Sequence, residues 1–515
     1  MARYPRFARI LAAIVVFLPV AFGQATAAAT TCESLRRLTG FEFTVATAQT
    51  IPAQGDAPRY CRVTGLIQPE IRFEVFLPGE WNRRFLMRGN GGYAGVLDKT
   101  GPVKSVQAGY AVAVTDTGHD ARLEPLGTFA VNRQKLYDFA FRSLHTTAVA
   151  AKKIIAEYYG SQPAHSYFVG CSTGGRQALI LAQRFPEDFD GIISGAPVLD
   201  WTGTMLQFAS NTKAMKAAPV PSSKVRLLAE KIYQGCDAKD GLEDGVIDDP
   251  RRCNFSASRD LPVCSGGEDR PDCFTPAQIG ALETVYGPLK AAGVTLMDGW
   301  PVGAEIAGAN GRSGWHNWIV NDDGPTIAMN FSQSFLRYMA FEEKDPKFEV
   351  SELDLDRQSP LVDWLRPVID AKDPDLSAFH ARGGKLIMYY GWADPALNAM
   401  MGMRYVENVF RTMAAKTDSF FRYYLVPGRF HCGGGVGCGS FDMIPPLIGW
   451  VEDGKAPQSI VSAKEVEGKT VRTRPLCPYP QVARSRAPAA PTRRPTSRAC
   501  WKASDVIHRE HPKER

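Results

Sequence analysis

The 515-residue sequence predicts an α/β fold in which a mostly parallel sheet, covered by helices on both faces, is interrupted by a long insertion. Three observations lead there. Apolar strand-like runs alternate with helical segments up to about residue 200, and alternation of that kind buries a parallel sheet on both faces. The same alternation resumes at about residue 376, after a stretch over 201–375 that is rich in Pro, Gly, Cys and aromatic side chains. Finally, "YFVGCSTGGRQAL", Tyr167 to Leu179, sets a G-x-S-x-G pentapeptide between a short apolar strand and a helix, the setting of a nucleophile elbow.

The elements follow in order. "MARYPRFAR" is a cationic start, "ILAAIVVFLPVAFG" a short apolar run broken by Pro19, and "QATAAA" a small-residue cleavage region, so residues 1–27 read as a secretory signal removed after Ala27. An uncleaved membrane anchor is the weaker reading, because the run is interrupted and falls short of about 20 residues, and no stable membrane insertion is expected after cleavage. "IRFEVFLP" and "RRFLMRGNGG" read as strands, and "GYAVAVTDTG" as a buried strand. "LHTTAVAAKKIIAEYYG" has helical spacing, "SYFVG" is a strand, "GGRQALILAQRFPEDF" a helix and "GIISGAP" a strand. Beyond the insertion come the strand of "GGKLIMYYGWADPAL", the helix "MRYVENVFRTMAAK" and the strand "FFRYYLVPG". The core is thus 28–200 with 376–483, the insertion or lid 201–375, and 484–515 a basic, Pro-rich tail expected to be loose.

A composition of 44% hydrophobic and 22% charged residues is that of an ordinary globular chain with material for one large core. Removing the +3 of the leader and the +6 of the tail from the formal charge of +6 leaves the body at −3, which argues against a nucleic-acid partner. Eleven cysteines in an exported chain favour disulfides with one sulfur left over. Zinc is disfavoured because no CxxC pair is present and histidines number only eight.

A serine at its ordinary pKa is a poor nucleophile and needs a base, which in turn needs an orienting carboxylate. With Ser172 in the elbow, chain order asks for an acid and then a histidine, each in a loop after a strand. "YYGWADP" supplies Asp394 and "LVPGRFHCGGG" supplies His431, the one histidine that satisfies order and loop together. Asp394 taken alone is also an Asp-Pro turn former, and His431 alone a common core or surface residue. Cys171 adjoins Ser172 and Cys432 adjoins His431. A bond between the two sulfurs would clamp nucleophile to base, whereas a Cys171 thiolate nucleophile leaves the placement of Cys432 unexplained and suits an oxidising compartment poorly.

With "GCSTGGRQ", "GWADP", "PGRFHC", "GNGGYAG", "DGLEDGVIDDPRRC" and "RPLCPYPQV", the chain resembles the tannase and feruloyl esterase family from about Cys32 to about Val482. The resemblance implies an α/β-hydrolase fold with a lid, a Ser172–Asp394–His431 triad and a Cys171–Cys432 bridge. It implies an oxyanion hole from the backbone N–H of Thr173 and from Gly91 or Gly92. It also implies structural Ca2+ on the carboxylates of Asp237, Asp240 and Asp244 and the carbonyls of Leu242 and Val246; the residues alone allow a solvated acidic turn equally well. The further pairs it implies are Cys32–Cys61, Cys236–Cys253, Cys264–Cys273 and Cys477–Cys500, leaving Cys438. No organic cofactor is implied.

The function expected is a secreted or periplasmic serine esterase acting on small-molecule esters of aromatic acids, feruloyl esters first. Galloyl esters or a terephthalate monoester are the alternatives, and an inactive binding protein on the same scaffold is the non-enzymatic one. Trp300, Trp315, Trp318, Phe331, Phe335, Tyr338 and Phe341 are candidates for an acyl pocket, with core packing the competing role for each. Leu397 is a further candidate, and Arg312 or Arg337 a candidate for recognising a substrate carboxylate.

Overall fold

Strands rich in β-branched and aromatic residues open the sheet, with burial alternating strictly in the second of them. β1 (Thr44–Ile51), β2 (Tyr60–Ile67) and β3 (Ile71–Pro78) form an antiparallel meander, of which only β3 had a clear sequence signal. The computed structural model describes residues 31–98, 100–308, 310–485 and 498–501, so the leader at 1–27 and most of the tail lie outside the described residues. β4 (Arg84–Arg88), β5 (Ala111–Thr115), β6 (His165–Cys171) and β7 (Gly191–Gly195) follow. A small ribbon, β8 (Leu289–Ala291) with β9 (Val294–Met297), belongs to the insertion, and β10 (Lys385–Gly391) and β11 (Phe421–Val426) return to the sheet. Among the described residues the sheet has nine strands in the order β1-β2-β3-β5-β4-β6-β7-β10-β11, parallel from β5 through β11.

The parallel strands are largely apolar because both faces are covered, with charged residues such as Arg84, Arg88, Lys385 and Arg422 at or near strand ends. Phe85, Met87, Ala111, Ala113 and Phe168 face one core, while Leu86, Val112, Val114 and Tyr167 face the other. The helices Ser143–Tyr159 and Thr173–Arg184 pack on the first face, and the helix Ile444–Asp453 closes the second. Among the described residues no helix is long and apolar enough to cross a membrane.

The insertion is richer in helix than its composition suggests, with Trp201–Ala217, Ser222–Cys236, Pro276–Tyr286 and Ile327–Tyr338. Trp201–Ala217 lacked a periodic signal because its first three turns are buried all round, its polar Thr202, Thr204 and Gln207 as deeply as Met205 and Leu206. The tail expectation needs correction at its edges. β12 (Ile460–Val466) pairs with β13 (Lys469–Leu476), and β14 (Val482–Ser485) pairs with β15 (Arg498–Trp501), so Arg484, Ser485, Arg498 and Ala499 are strand residues. Residues 486–497 lie outside the described residues.

All five expected disulfides form: Cys32–Cys61, Cys171–Cys432, Cys236–Cys253, Cys264–Cys273 and Cys477–Cys500. Cys438 is left as a free, buried thiol whose Sγ lies 3.7 Å from the Arg472 carbonyl.

Candidate active site

Ser172 follows β6 directly and caps the helix Thr173–Arg184 with φ 64° and ψ −121°, a backbone conformation that costs a non-glycine residue energy. Neighbouring glycines make the turn possible. A Cβ on Gly170 would sit 2.4 Å from the Gly174 carbonyl oxygen, and one on Gly175 would sit 2.3 Å from that of Gly195. The Ser172 N–H donates to the Gly195 carbonyl at 3.0 Å, pinning the elbow to β7.

Asp394 lies three residues past the end of β10, and His431 five past the end of β11. The two strands pair in register, Gly391 opposite Val426, so both loops open at the carboxyl edge of the sheet, where Ser172 also emerges. His431 Nδ1 is 2.8 Å from Asp394 Oδ2. The other carboxylate oxygen accepts from the N–H of Ala396 at 2.8 Å and of Leu397 at 2.9 Å. Trp300 Nε1 donates to the Asp394 carbonyl at 3.1 Å. The carboxylate is therefore buried and held at both oxygens, as an acid that orients an imidazole must be.

The Cys171–Cys432 bridge, with Cα atoms 6.0 Å apart, joins the residue before Ser172 to the residue after His431. Cys432 itself is at φ 54°. The glycine loop lies on the other side of the elbow. Thr173 Oγ1 donates to the Gly92 carbonyl at 2.5 Å, and the Gly174 N–H donates to the Asn90 carbonyl at 2.7 Å. Gln177 exchanges two hydrogen bonds with Asn90, and Asn90 Nδ2 reaches the Thr115 carbonyl at 2.7 Å. Gly91 is exposed; Gly92 is at φ 53°, with Phe331 close against it.

Of the aromatic candidates, the structure brings Trp318 and Phe331 to the site. Trp318 meets His431 edge to face at 5.5 Å, and Phe331 meets Trp318 at 6.2 Å and Tyr93 at 5.1 Å. Trp300 supports the Asp394 turn, while Trp315 is buried against Tyr286 in the insertion. Phe335 is fully buried, Tyr338 is half-buried, and Phe341 packs on Phe348. Leu397 is buried and serves Asp394 through its backbone. Arg337 is tied to the Phe348 carbonyl and Glu349, and Arg312 is exposed.

In the acidic loop, Asp237 accepts from the N–H groups of Gly245 and Val246, and Asp240 from that of Leu242. Asp244 pairs with Arg472 and Asp248 with Arg474. Burial, then the adjoining Asp248 and Asp244, push the Asp240 carboxyl up to about 7. Crowding of carboxylates on a glycine turn suits a hard divalent cation, and Asp248 belongs to the group although the sequence reading passed over it.

The sequence reading also missed Asn90, Arg176, Gln177 and Arg429, all inside motifs it quoted. Arg176 is wholly buried between Phe139 and Trp201, donating to the carbonyls of Phe139, Ala140 and Ile369, and burial lowers its pKa to about 9.

A family model described as tannase and feruloyl esterase matches residues 56–493. The chain belongs to the tannase and feruloyl esterase family. Its relatives include the mono(2-hydroxyethyl) terephthalate hydrolase of Piscinibacter sakaiensis, 32% identical over 83% of this chain and 82% of that protein. Feruloyl esterase B of Aspergillus niger is 30% identical over 82% and 83% of the two chains. The solved feruloyl esterase B from Aspergillus oryzae superposes with a TM-score of 0.81 at 25% identity, covering 91% of this chain and 99% of the other. This family member is accordingly a carboxylic ester hydrolase on an α/β-hydrolase fold.

Proposed function

We propose that this esterase cleaves esters of aromatic acids by serine acyl transfer. Ser172 Oγ attacks the ester carbonyl, His431 takes its proton and then delivers it to the departing alcohol, and water activated by His431 releases the acid. Asp394 fixes the tautomer that leaves Nε2 as the base. The N–H of Thr173 and those of Gly91 and Gly92 are assigned to the developing oxyanion, the donor arrangement that usually supplies the largest catalytic term. The observation that carries this reading is the 2.8 Å contact from His431 to a buried Asp394, with one disulfide joining the neighbours of His431 and Ser172.

Trp318 and Phe331 beside His431 supply apolar, ring-shaped contact for an aromatic acyl group. Feruloyl esters are the first choice because two of the three relatives named above are feruloyl esterases; the terephthalate monoester is the second. Hydrolysis of methyl ferulate, methyl gallate and mono(2-hydroxyethyl) terephthalate, run beside Ser172→Ala, tests the proposal. Release of one aromatic acid that the substitution abolishes supports it, and an unimpaired Ser172→Ala refutes the triad.

Two further assignments accompany it. Five disulfides favour an oxidising compartment, hence a secreted or periplasmic enzyme. A structural Ca2+ held by Asp237, Asp240 and Asp244 with the carbonyls of Leu242 and Val246 would relieve the crowding of carboxylates in that loop; when bound it supplies charge neutralisation and rigidity, with no part in the chemistry.

A further inference from the structure

His431 sits in the loop "PGRFHCGGGVGCG", whose five glycines beyond Cys432 give the backbone more freedom than a general base tolerates. Turns fold the loop on itself, the N–H groups of Val436 and Gly437 both reaching the Gly428 carbonyl and that of Gly433 the His431 carbonyl. Inside this turn lies a cation that the mechanism does not use. Arg429 is 7% exposed, and its Nη2 donates to the Cys432 carbonyl at 2.6 Å. The guanidinium lies 4.5 Å from the ring centroid of Phe441 and 5.6 Å from that of Tyr389.

Tyr389 leads on to the nucleophile. It stands on β10 opposite Gly195 of β7, and a Cβ at Gly195 would come within 2.3 Å of the Tyr389 hydroxyl, so the two are in contact. Gly195 in turn accepts the Ser172 N–H. The guanidinium thus touches both sides of the site: the backbone of Cys432 next to the base, and through Tyr389 the strand that carries the elbow's hydrogen bond.

Cys432 is gripped twice, by its sulfur through the bridge to Cys171 and by its carbonyl through Arg429, and it is held at a positive φ. Burying a guanidinium is costly, and here burial lowers its pKa despite the nearby Asp394 charge. We infer that Arg429 is a positioning residue, a noncovalent clamp that works in parallel with the Cys171–Cys432 bridge to hold the His431 loop in register with Ser172. The inference rests on His431 being the base of the proposed triad.

Because the two clamps act on one residue, their effects are predicted to be strongly non-additive. The test is kcat and KM for the best hydrolysed aromatic ester, with R429M and R429K each made in the intact enzyme and in C171A/C432A, and folded protein checked by circular dichroism. With the bridge present, R429M is expected to lower kcat about tenfold with KM within about twofold, and R429K to fall between R429M and the parent. Without the bridge, R429M is expected to lower kcat by a further factor of about 100 relative to C171A/C432A, the order of loss that a misplacement of about 1 Å brings. Equal losses in both backgrounds, equal losses for R429K and R429M, or a change confined to KM would overturn the inference. Should R429M not fold, R429K decides. Its ammonium keeps the charge but not the planar group that lies over Phe441 and Tyr389, so a kcat loss larger in the bridgeless background than with the bridge present supports the clamp, and a loss equal in the two backgrounds or absent from the bridgeless one overturns it. S172A and H431A, run alongside, separate the two levels: if they stay active the triad fails, whereas if they are dead and R429M is unimpaired only the clamp fails.

Discussion

Removing the Cys171–Cys432 bridge as C171A/C432A perturbs stability and turnover through the same atoms. The bridge closes a loop with a sequence separation of 261. In the chain-entropy description a loop of that length is worth about 5.5 kcal/mol at 25 °C. Two shorter bridges inside it, spanning 17 and 9 residues, shorten the effective loop by roughly a tenth, which alters that figure by only about 0.1 kcal/mol. Strain at Cys432 and residual structure in the unfolded chain reduce the gain, so the expected loss is about 2–5 kcal/mol. Turnover should suffer separately, because the elbow and the His431 loop are then joined by noncovalent contacts alone, and a drift of about 1 Å costs roughly 100-fold in kcat. Guanidinium unfolding followed by tryptophan fluorescence gives the first quantity, and kcat measured well below the transition gives the second. An unchanged midpoint would refute the entropic argument. A variant that unfolds early yet turns over at the wild-type rate while folded would refute the positional one.

Asp394→Asn should keep the fold and lower kcat by roughly 10⁴, since it leaves His431 in the wrong tautomer; steady-state kinetics on the purified variant check this. Trp318→Ala should raise KM for aromatic esters far more than for methyl acetate, because the ring beside His431 offers face and edge contact to an aryl group; a substrate pair compared on one preparation reads it. Glu452 accepts two bonds from Arg84 and one from Tyr167, and these, Arg84 first, lower its pKa from 4.5 to about 2. A depressed folded-state pKa contributes stability that is present above about pH 4.5 and lost as the pH falls toward about 2, so Glu452→Gln should lower Tm at pH 7 and flatten its decline over that window. Chelation should lower Tm if Ca2+ fills the Asp237–Val246 loop, by the equivalent of about 2.7 kcal/mol when the ion stands at 100 times its Kd, and added Ca2+ should restore it; an EDTA-insensitive Tm removes the assignment.

How much of this was legible in the sequence follows from which signals are local. The strands from Ile71 onward, the elbow and the loops after β10 and β11 were readable because apolar runs bounded by Gly and Pro need no partner to declare themselves. β1 and β2 were passed over: the alternation of "YCRVTGLI" is plain once pairing with β3 is known, yet it carries Arg62 and Gly65 inside. The helix Trp201–Ala217 was hidden because its first three turns are buried on every side, since a stripe exists only where one face meets water. Asn90, Gln177 and Arg429 stood in quoted motifs, but their use depends on contacts with Thr115, with one another and with the Cys432 carbonyl, which no spacing encodes.

The placement of strain explains why such contacts gather here. Ser172 at φ 64° and Cys432 at φ 54° are two of the non-glycine residues with positive φ, and each adjoins or belongs to the same disulfide. Each such conformation costs about 1–3 kcal/mol. Together they ask for roughly 2–6 kcal/mol, a sum of the order the long-loop bridge contributes. Neither residue can relax toward an ordinary conformation without moving the other, since the bridge couples the elbow to the base loop. Glycine at either position would remove the strain but also the functional group, the hydroxyl at 172 or the sulfur at 432. The chain instead keeps the functional residues strained, permits the close approach with Gly170, Gly175 and Gly195, and ties the ends with one covalent bond and one buried guanidinium. In the proposed mechanism a site built this way has Ser172, as nucleophile, and His431, as base, placed before substrate arrives, which is the condition under which proximity lowers a barrier.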